Sequence, residues 1–236
     1  MLKGMMKSRN DKSIQSFWGT STQHERLNAC FRYSSNVDKI LDIGCARGAY
    51  STTLNQKGYF TIGVDINFYQ EWIDLKTTDF LIASGLSLPF KDKFFDVTIS
   101  FEVIEHCIDP IIVLNEMRRC TKKYIIISVP NCDLNNNLRK YDLAMAHWTD
   151  PTHCNFFTKD SIASLLKDQG FEIIEISDCY PIYPNNYFWD TLKLPKLLSF
   201  FLKKIFQKLQ LVEIYYSSIL IVASVSNRGD HNDPKN

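Results

Sequence analysis

The chain has 236 residues, 45% of them apolar, and its 27 basic and 26 acidic side chains leave a formal charge of +1. That is enough apolar material for one full core, and the near-zero balance gives no global field for a polyanion; nucleic acid would need a dense basic run, which is missing. Seven scattered cysteines without a Cys-x-x-Cys pair argue against a disulfide frame or a thiolate zinc site and for reduced thiols in the cytoplasm.

Residues 1–37 read as an N-terminal arm and a leading helix. Met1 to Gly19 is polar, so no secretory leader is expected, and Phe17 and Trp18 are placed to fold back over a cleft. Thr22 to Phe31 suits a helix, with Leu27 and Phe31 four apart. The repeating part runs over 38–226. Lys39–Ile43 is a first strand; the next helix spans about Ala49 to Lys57 and stops at Gly58. Between them lies Gly44-Cys45-Ala46-Arg47-Gly48, a small-residue turn of the kind that brings backbone N–H donors to a ligand cleft at a helix start. Tyr59–Val64 is a second strand ending at Asp65, which lies 17 positions after Gly48, about the spacing at which a βαβ unit sets an acid beside a ribose.

Residues 67–77 read as an irregular connection and Asp79–Ala83 as a third strand. Phe95–Phe101 is a nearly continuous apolar strand, buried on both faces. A helix from Pro110 to Cys120 turns Ile112, Leu114 and Met117 inward, and Lys123–Val129 is another buried strand. After the polar stretch Asn131–His153, Thr158 caps a helix carrying Ile162, Leu165 and Leu166 that ends at Gly170. Phe171–Ser177 and Ser217–Ser226 are the last strands, separated by a 180–213 insertion with an amphipathic helix; the tail 227–236 is polar and frays. The longest apolar tracts, Leu194–Leu202 and Ile219–Val225, are too short to span a bilayer, so a soluble protein is expected. The rhythm implies a single α/β domain, a doubly wound, mostly parallel sheet with its site at the carboxyl ends of the strands.

Three features together resemble the class I S-adenosylmethionine-dependent methyltransferases over about residues 38–180: the turn Leu41-Asp42-Ile43-Gly44-Cys45-Ala46-Arg47-Gly48; Asp65 after strand two; and Leu88-Pro89-Phe90-Lys91-Asp92-Lys93-Phe94-Phe95-Asp96-Val97 leading to Phe101-Glu102-Val103-Ile104-Glu105-His106. The resemblance implies a seven-stranded Rossmann-like methyltransferase sheet, S-adenosylmethionine as cofactor, and methylation as the activity. It places the cofactor against Asp42, Gly44, Cys45, Ala46, Gly48, Tyr50, Asp65, Ile66, Ser84, Gly85, Phe101 and Glu102. The turn alone also fits a nicotinamide-dinucleotide fingerprint, but Asp42 would oppose a pyrophosphate and attract an α-ammonium group. Asp65 offers two acceptor oxygens to a ribose diol. Where the family often has an acid for the adenine amino group this chain has Ser84, leaving that contact to a hydroxyl, a backbone carbonyl or Asp79.

Methyl transfer needs an aligned acceptor and, for a hydroxyl, a group to take its proton, which directs attention to Glu102, Glu105, His106, His147, Asp150 and His153. The expected catalytic groups are His106, His153 and Glu105. Glu102-x-x-Glu105-His106 with His153 also resembles the sites of ubiquinone-pathway O-methyltransferases and small-RNA 3′-terminal 2′-O-methyltransferases, in which two glutamates and two histidines hold a divalent metal. By that resemblance Glu102, Glu105, His106 and His153 are the metal ligands, suited to Mn²⁺, Fe²⁺ or Zn²⁺. The expected acceptor is a small molecule or a lipid- or glycan-linked group, methylated at oxygen. RNA 2′-O-methylation is the rival activity, opposed by the charge, and a non-catalytic cofactor-binding partner protein is a rival that Ala46 and Ser84 would permit. The 180–213 segment is read as a lid; the basic amphipathic stretch 194–211 also suits peripheral contact with an anionic membrane.

Overall fold

A computed structural model describes residues 21–133, 140, 145–183, 189, 191–209 and 214–225. The arm with Phe17 and Trp18, the polar tail and part of the 180–213 insertion lie outside these residues. The described elements are α1 (His24–Tyr33), β1 (Lys39–Ile43), α2 (Ala49–Gln56), β2 (Phe60–Asp65), β3 (Asp79–Ile82), β4 (Phe95–Phe101), α3 (Pro110–Cys120), β5 (Thr121–Pro130), α4 (Lys159–Asp168), β6 (Phe171–Ile182), α5 (Lys196–Lys208) and β7 (Tyr215–Val225). Single 3₁₀ turns occupy Gln70–Ile73, Ile104–His106 and Ala146–Trp148.

The strands form one seven-stranded sheet in the order β3-β2-β1-β4-β5-β7-β6. β1 to β5 are parallel, and β7 runs antiparallel to both β5 and β6. Successive side chains leave a strand on opposite faces, and because both faces are covered, both registers are apolar. Leu41, Ile125, Ile127 and Ile221 pack with Val113, Leu114 and Met117 of α3 and Ile162 and Leu166 of α4. Ile40, Val97, Ile99, Ile126 and Val222 pack on the other face with Ala29 and Cys30 of α1 and Leu54 of α2.

The helix starts follow from local chemistry. The Asp109 carboxylate accepts from the N–H groups of Ile111 and Ile112 ahead of Pro110, and Thr158 forms a reciprocal capping box with Ser161. Several boundaries shift by one or two residues from the sequence reading, and α3 turns Val113 inward where Ile112, which is exposed, was expected; the larger change is in the last two strands. β6 continues past Ser177 to Ile182, and β7 begins at Tyr215 instead of Ser217, so the last two strands form a long antiparallel pair, with Ile182 opposite Tyr215. Pairing with β7 carries Asp178, Cys179, Pro181 and Ile182, while Tyr180 turns left-handed at φ 59° and drops out of the register, although the polar and turn-forming residues there break the apolar pattern.

All of this converges at one edge. The carboxyl ends of β1, β2, β4 and β5 lie together, and β6, antiparallel to β7 as β5 is, ends at the same edge.

Candidate active site

The turn after β1 is built on left-handed residues: Gly44 at φ 72°, Ala46 at φ 45° and Gly48 at φ 83°. Gly44 and Gly48 are required twice over, by backbone conformation and by space, since a Cβ would run into Val103 at the first and into the Phe80 ring at the second. The turn spends its N–H groups internally. Gly44 and Cys45 donate to the Val64 carbonyl at 2.7 and 3.1 Å, Gly48 to the Cys45 carbonyl at 2.8 Å, and Ala46 to Asp65 Oδ2 at 3.0 Å. Four amides that would have suited an anion are thus committed, and the groups left around the turn are carboxylates.

Asp42 is buried and accepts from the Ser51 hydroxyl at 2.5 Å, so it stands behind the turn rather than bare in the cleft. Burial pushes its carboxyl up to about 7, against the hydrogen bonds from Ser51 and with the Asp65 charge adding to the rise. A cation arriving beside it would draw it back to the charged form. Asp65, at the end of β2, is held by Ala46 N–H on Oδ2 and by Asn67 N–H at 2.9 Å on Oδ1, which fixes its plane. Ile66, next to it, is exposed.

The turn also has a cover that the sequence reading missed. Trp72, on the 3₁₀ turn Gln70–Ile73, donates from Nε1 to the Ala46 carbonyl at 2.8 Å and stacks on Phe80 with centroids 4.9 Å apart. Arg47 pairs with Glu71 of the same turn. Ser84 and Gly85 lie at the end of β3, where the Ser84 hydroxyl accepts from Leu86 N–H at 3.2 Å and helps to fold the bend. Phe101 packs against Tyr50, centroids 4.6 Å apart, and the Tyr50 hydroxyl accepts from Gln23 N–H at 2.8 Å, closing α1 onto this side.

At the end of β4 the two glutamates part company. Glu102 takes a left-handed conformation at φ 56°, and its Oε1 accepts from Arg26 Nη2 at 2.5 Å and from the Ser128 hydroxyl at 2.9 Å. Arg26 is buried on α1 and its Nη2 also reaches the Ser218 hydroxyl at 3.4 Å. Arg26 had a signal in the sequence: it shares the apolar stripe of α1 with Ala29 and Cys30 at i, i+3 and i+4, an unusual place for a charge without a partner.

Glu105, on the 3₁₀ turn Ile104–His106, is 1% exposed, and neither carboxylate oxygen has a hydrogen-bond partner. Burial first, and then the neighbouring Glu102 charge, hold its carboxyl well above the usual range. The loop from Asp150 to Phe157 docks on it: Cys154 and Asn155 N–H donate to the Glu105 carbonyl at 2.8 and 3.0 Å, and Asn155 Nδ2 donates to the Cys107 carbonyl at 2.6 Å. Docking brings His153 beside His106, ring centroids 4.7 Å apart. His106 Nδ1 lies 3.2 Å from the Thr152 carbonyl and His153 Nδ1 lies 3.0 Å from the His147 carbonyl, while His106 Nε2 faces Glu105 Oε1 at 3.9 Å and His153 Nε2 faces Asp150 Oδ2 at 3.8 Å, both beyond hydrogen-bond distance. Burial lowers the pKa of His106, favouring the neutral ring.

One ligand atom from each of Glu105, His106 and His153 lies within 4.8 Å of the others, among the described residues. Glu102, expected as a fourth, is outside the cluster because Arg26 and Ser128 hold its carboxylate. Two imidazoles with Nδ1 oriented by backbone carbonyls, converging on a buried carboxylate that makes no hydrogen bond, are a donor set that fits a divalent transition metal.

A family model for a methyltransferase domain matches residues 12–176. A ubiquinone biosynthesis O-methyltransferase of Cereibacter sphaeroides is 27% identical over 154 residues, covering 58% of this chain and 61% of that protein. Another of the same description, from Pelagibacter ubique, is 31% identical over 115 residues, covering 45% of this chain and 46% of that one. The chain thus spans less than two thirds of the curated relatives it matches. Among solved structures, an Archaeoglobus fulgidus S-adenosylmethionine-dependent methyltransferase superposes with a TM-score of 0.58 at 22% identity over 85% of this chain and 91% of that one. A Haloferax volcanii methyltransferase in complex with a methyltransferase activator gives 0.64 at 16% identity over 94% and 95%. These structural likenesses concern the fold.

Proposed function

Because the chain belongs to the class I S-adenosylmethionine-dependent methyltransferases, we propose that it methylates an oxygen of a small-molecule or lipid- or glycan-linked acceptor seated over Glu105, His106 and His153. The observation that carries this is the convergence of those three groups at the carboxyl end of β4, with a buried carboxylate left without a hydrogen bond. A carboxylate that is costly to bury and makes no hydrogen bond of its own is poised for an external one. The oxygen preference also draws support from the relatives described as ubiquinone biosynthesis O-methyltransferases.

In this reading the donor's ribose hydroxyls meet Asp65, its α-ammonium group is attracted by Asp42 and Asp65 around the turn, and the Gly44–Gly48 turn gives the cofactor room to approach the backbone. Phe101 and Ser84 border the remaining space. Transfer is an in-line displacement: the acceptor oxygen forms the new C–O bond as the C–S bond breaks, the sulfonium leaves as a neutral thioether, and the acceptor proton passes to a neutral imidazole of His106 or His153. Glu105 balances the imidazolium that results. The protein's task is alignment and proton removal, because the cofactor supplies the leaving group.

The same three residues would hold a divalent metal, which when bound lowers the pKa of a coordinated acceptor hydroxyl. Nε2 atoms without a hydrogen bond and a Glu105 carboxylate without one favour this version. Seven cysteines without a disulfide support a reducing, cytoplasmic setting.

Calorimetry with S-adenosylhomocysteine tests the cofactor part, with absence of binding counting against it. Transfer of labelled methyl groups from S-adenosylmethionine into metabolite, lipid and RNA fractions identifies the acceptor class; label in RNA alone would replace the small-molecule reading. A chelated, metal-free preparation with full activity would remove the metal.

A further inference from the structure

We propose that α5 docks on an anionic membrane surface and holds the acceptor edge of the sheet against the bilayer. α5, KLLSFFLKKIFQK, contains four lysines and no acid, while the whole chain balances to +1. Along the helix Leu198, Phe201, Ile205 and Leu209 fall on one stripe by their i, i+3 and i+4 spacing, and all four are exposed, Phe201 by 59% and Leu209 by 59%. Ser199 alone is buried in this helix. Lys204 and Lys208 lie along one side of that stripe.

Exposed apolar stripes of this size ask for a cover, and the charge identifies it. A protein partner or a second copy would have to meet a uniformly basic rim; this helix offers no acid with which a copy's lysines could pair. An anionic bilayer meets both demands at once, taking the apolar stripe into the headgroup and acyl boundary while its surface potential attracts the lysines. Thirteen residues of helix are about 20 Å long, too short to cross, and no described helix is long and apolar enough to span a membrane. α5 therefore lies in the surface plane.

The topology adds the second half. α5 belongs to the connection that leaves β6 at Ile182 and returns at Tyr215, and β6 ends at the edge where β1, β4 and β5 end. Ser218, near the start of β7 at the mouth of that connection, borders the same groups: its Oγ lies 3.4 Å from the Arg26 guanidinium that holds Glu102. A helix fixed to a membrane at this edge brings the acceptor side of the protein to a lipid-borne substrate. This last step rests on the proposed methyltransferase site; the docking itself does not.

The test is co-sedimentation of the full chain with phosphatidylcholine vesicles and with vesicles containing phosphatidylglycerol, alongside calorimetry with S-adenosylhomocysteine. Binding to the anionic vesicles only is expected. Replacing Lys196, Lys203, Lys204 and Lys208 by Gln lowers partitioning by ~100-fold or more, at roughly fivefold per lysine. Phe201→Ser with Ile205→Ser weakens it as well, with cofactor affinity unchanged in both variants. No sedimentation with anionic vesicles, partitioning indifferent to the lysines, or a stable dimer that the Phe201→Ser/Ile205→Ser pair dissociates would overturn the inference. Loss of cofactor binding with vesicle binding intact would instead count against the methyltransferase site.

Discussion

At the scale of single residues, the site is governed by which carboxylates are partnered. Asp42 has one hydrogen bond from Ser51 and complete burial, and its pKa of about 7 means that folding favours the protonated form. The stability it allows is therefore fully present below the ordinary carboxylate pKa and is lost as pH rises towards 7. Asp42→Asn keeps the Ser51 bond and cannot ionise, so its urea midpoint should match the parent below the ordinary carboxylate pKa and exceed it increasingly as pH rises to about 7; S-adenosylhomocysteine should bind more weakly to it. A midpoint difference that ignores pH would show that Asp42 is not ionising on this range. Glu105 gives a complementary test. Glu105→Gln preserves volume and polarity, so a purely structural role would tolerate it, whereas a role in proton or metal handling predicts a loss of activity of ~100-fold or more with cofactor affinity unchanged. Methyl-transfer rates on an identified acceptor, beside calorimetry, separate the two. The residue types at these positions were legible from the sequence. Their partners were not: Glu102 and Glu105 are three apart and look interchangeable, yet one is held by hydrogen bonds from Arg26 and Ser128 and the carboxylate of the other has none.

At the scale of elements, the parts with strong local signals came out where the sequence placed them. β4 was legible because both its faces are apolar, α3 because Asp109 and Pro110 mark its start, and α4 because Thr158 and Gly170 bracket it. Thr158→Ala removes an acceptor from the first turn of α4 and should cost about 1 kcal/mol, measured by urea denaturation; the same substitution at Thr53, whose hydroxyl bonds back to the Ala49 carbonyl within α2, should cost less. The ends of β6 and β7 were less legible, since Asp178, Tyr180 and Pro181 carry no apolar alternation; Asp178 and Pro181 pair with β7 across a left-handed Tyr180. Trp72 was invisible for a similar reason: its value lies in a stack on Phe80 and a bond to Ala46, both set by how the 67–77 connection folds back.

At the scale of the whole molecule, helices on both faces of one sheet bury five of the seven cysteines, leaving Cys154 exposed and Cys107 half-buried. A thiol reagent under native conditions should label Cys154 first and Cys107 next, and the other five only at the rate of opening of the fold. Rapid labelling of Cys120 or Cys179 in the folded protein would contradict the packing of α3 or of β6. Burial of that kind is a property of the assembled layers, which no local pattern of seven isolated cysteines conveys. The sequence by itself determined the alternation of strands and helices, the turn at Gly44–Gly48 with Asp42 and Asp65 around it, and the candidate Glu and His groups, because each depends on neighbours within a few residues along the chain. Only the tertiary structure decided that Glu105, His106 and His153 meet while Glu102 turns to Arg26, and that α5 keeps an apolar stripe exposed. Those outcomes depend on desolvation and on partners tens or hundreds of residues away, brought together by the packing of α1, of the Asp150–Phe157 loop and of β7 at the carboxyl edge of the sheet.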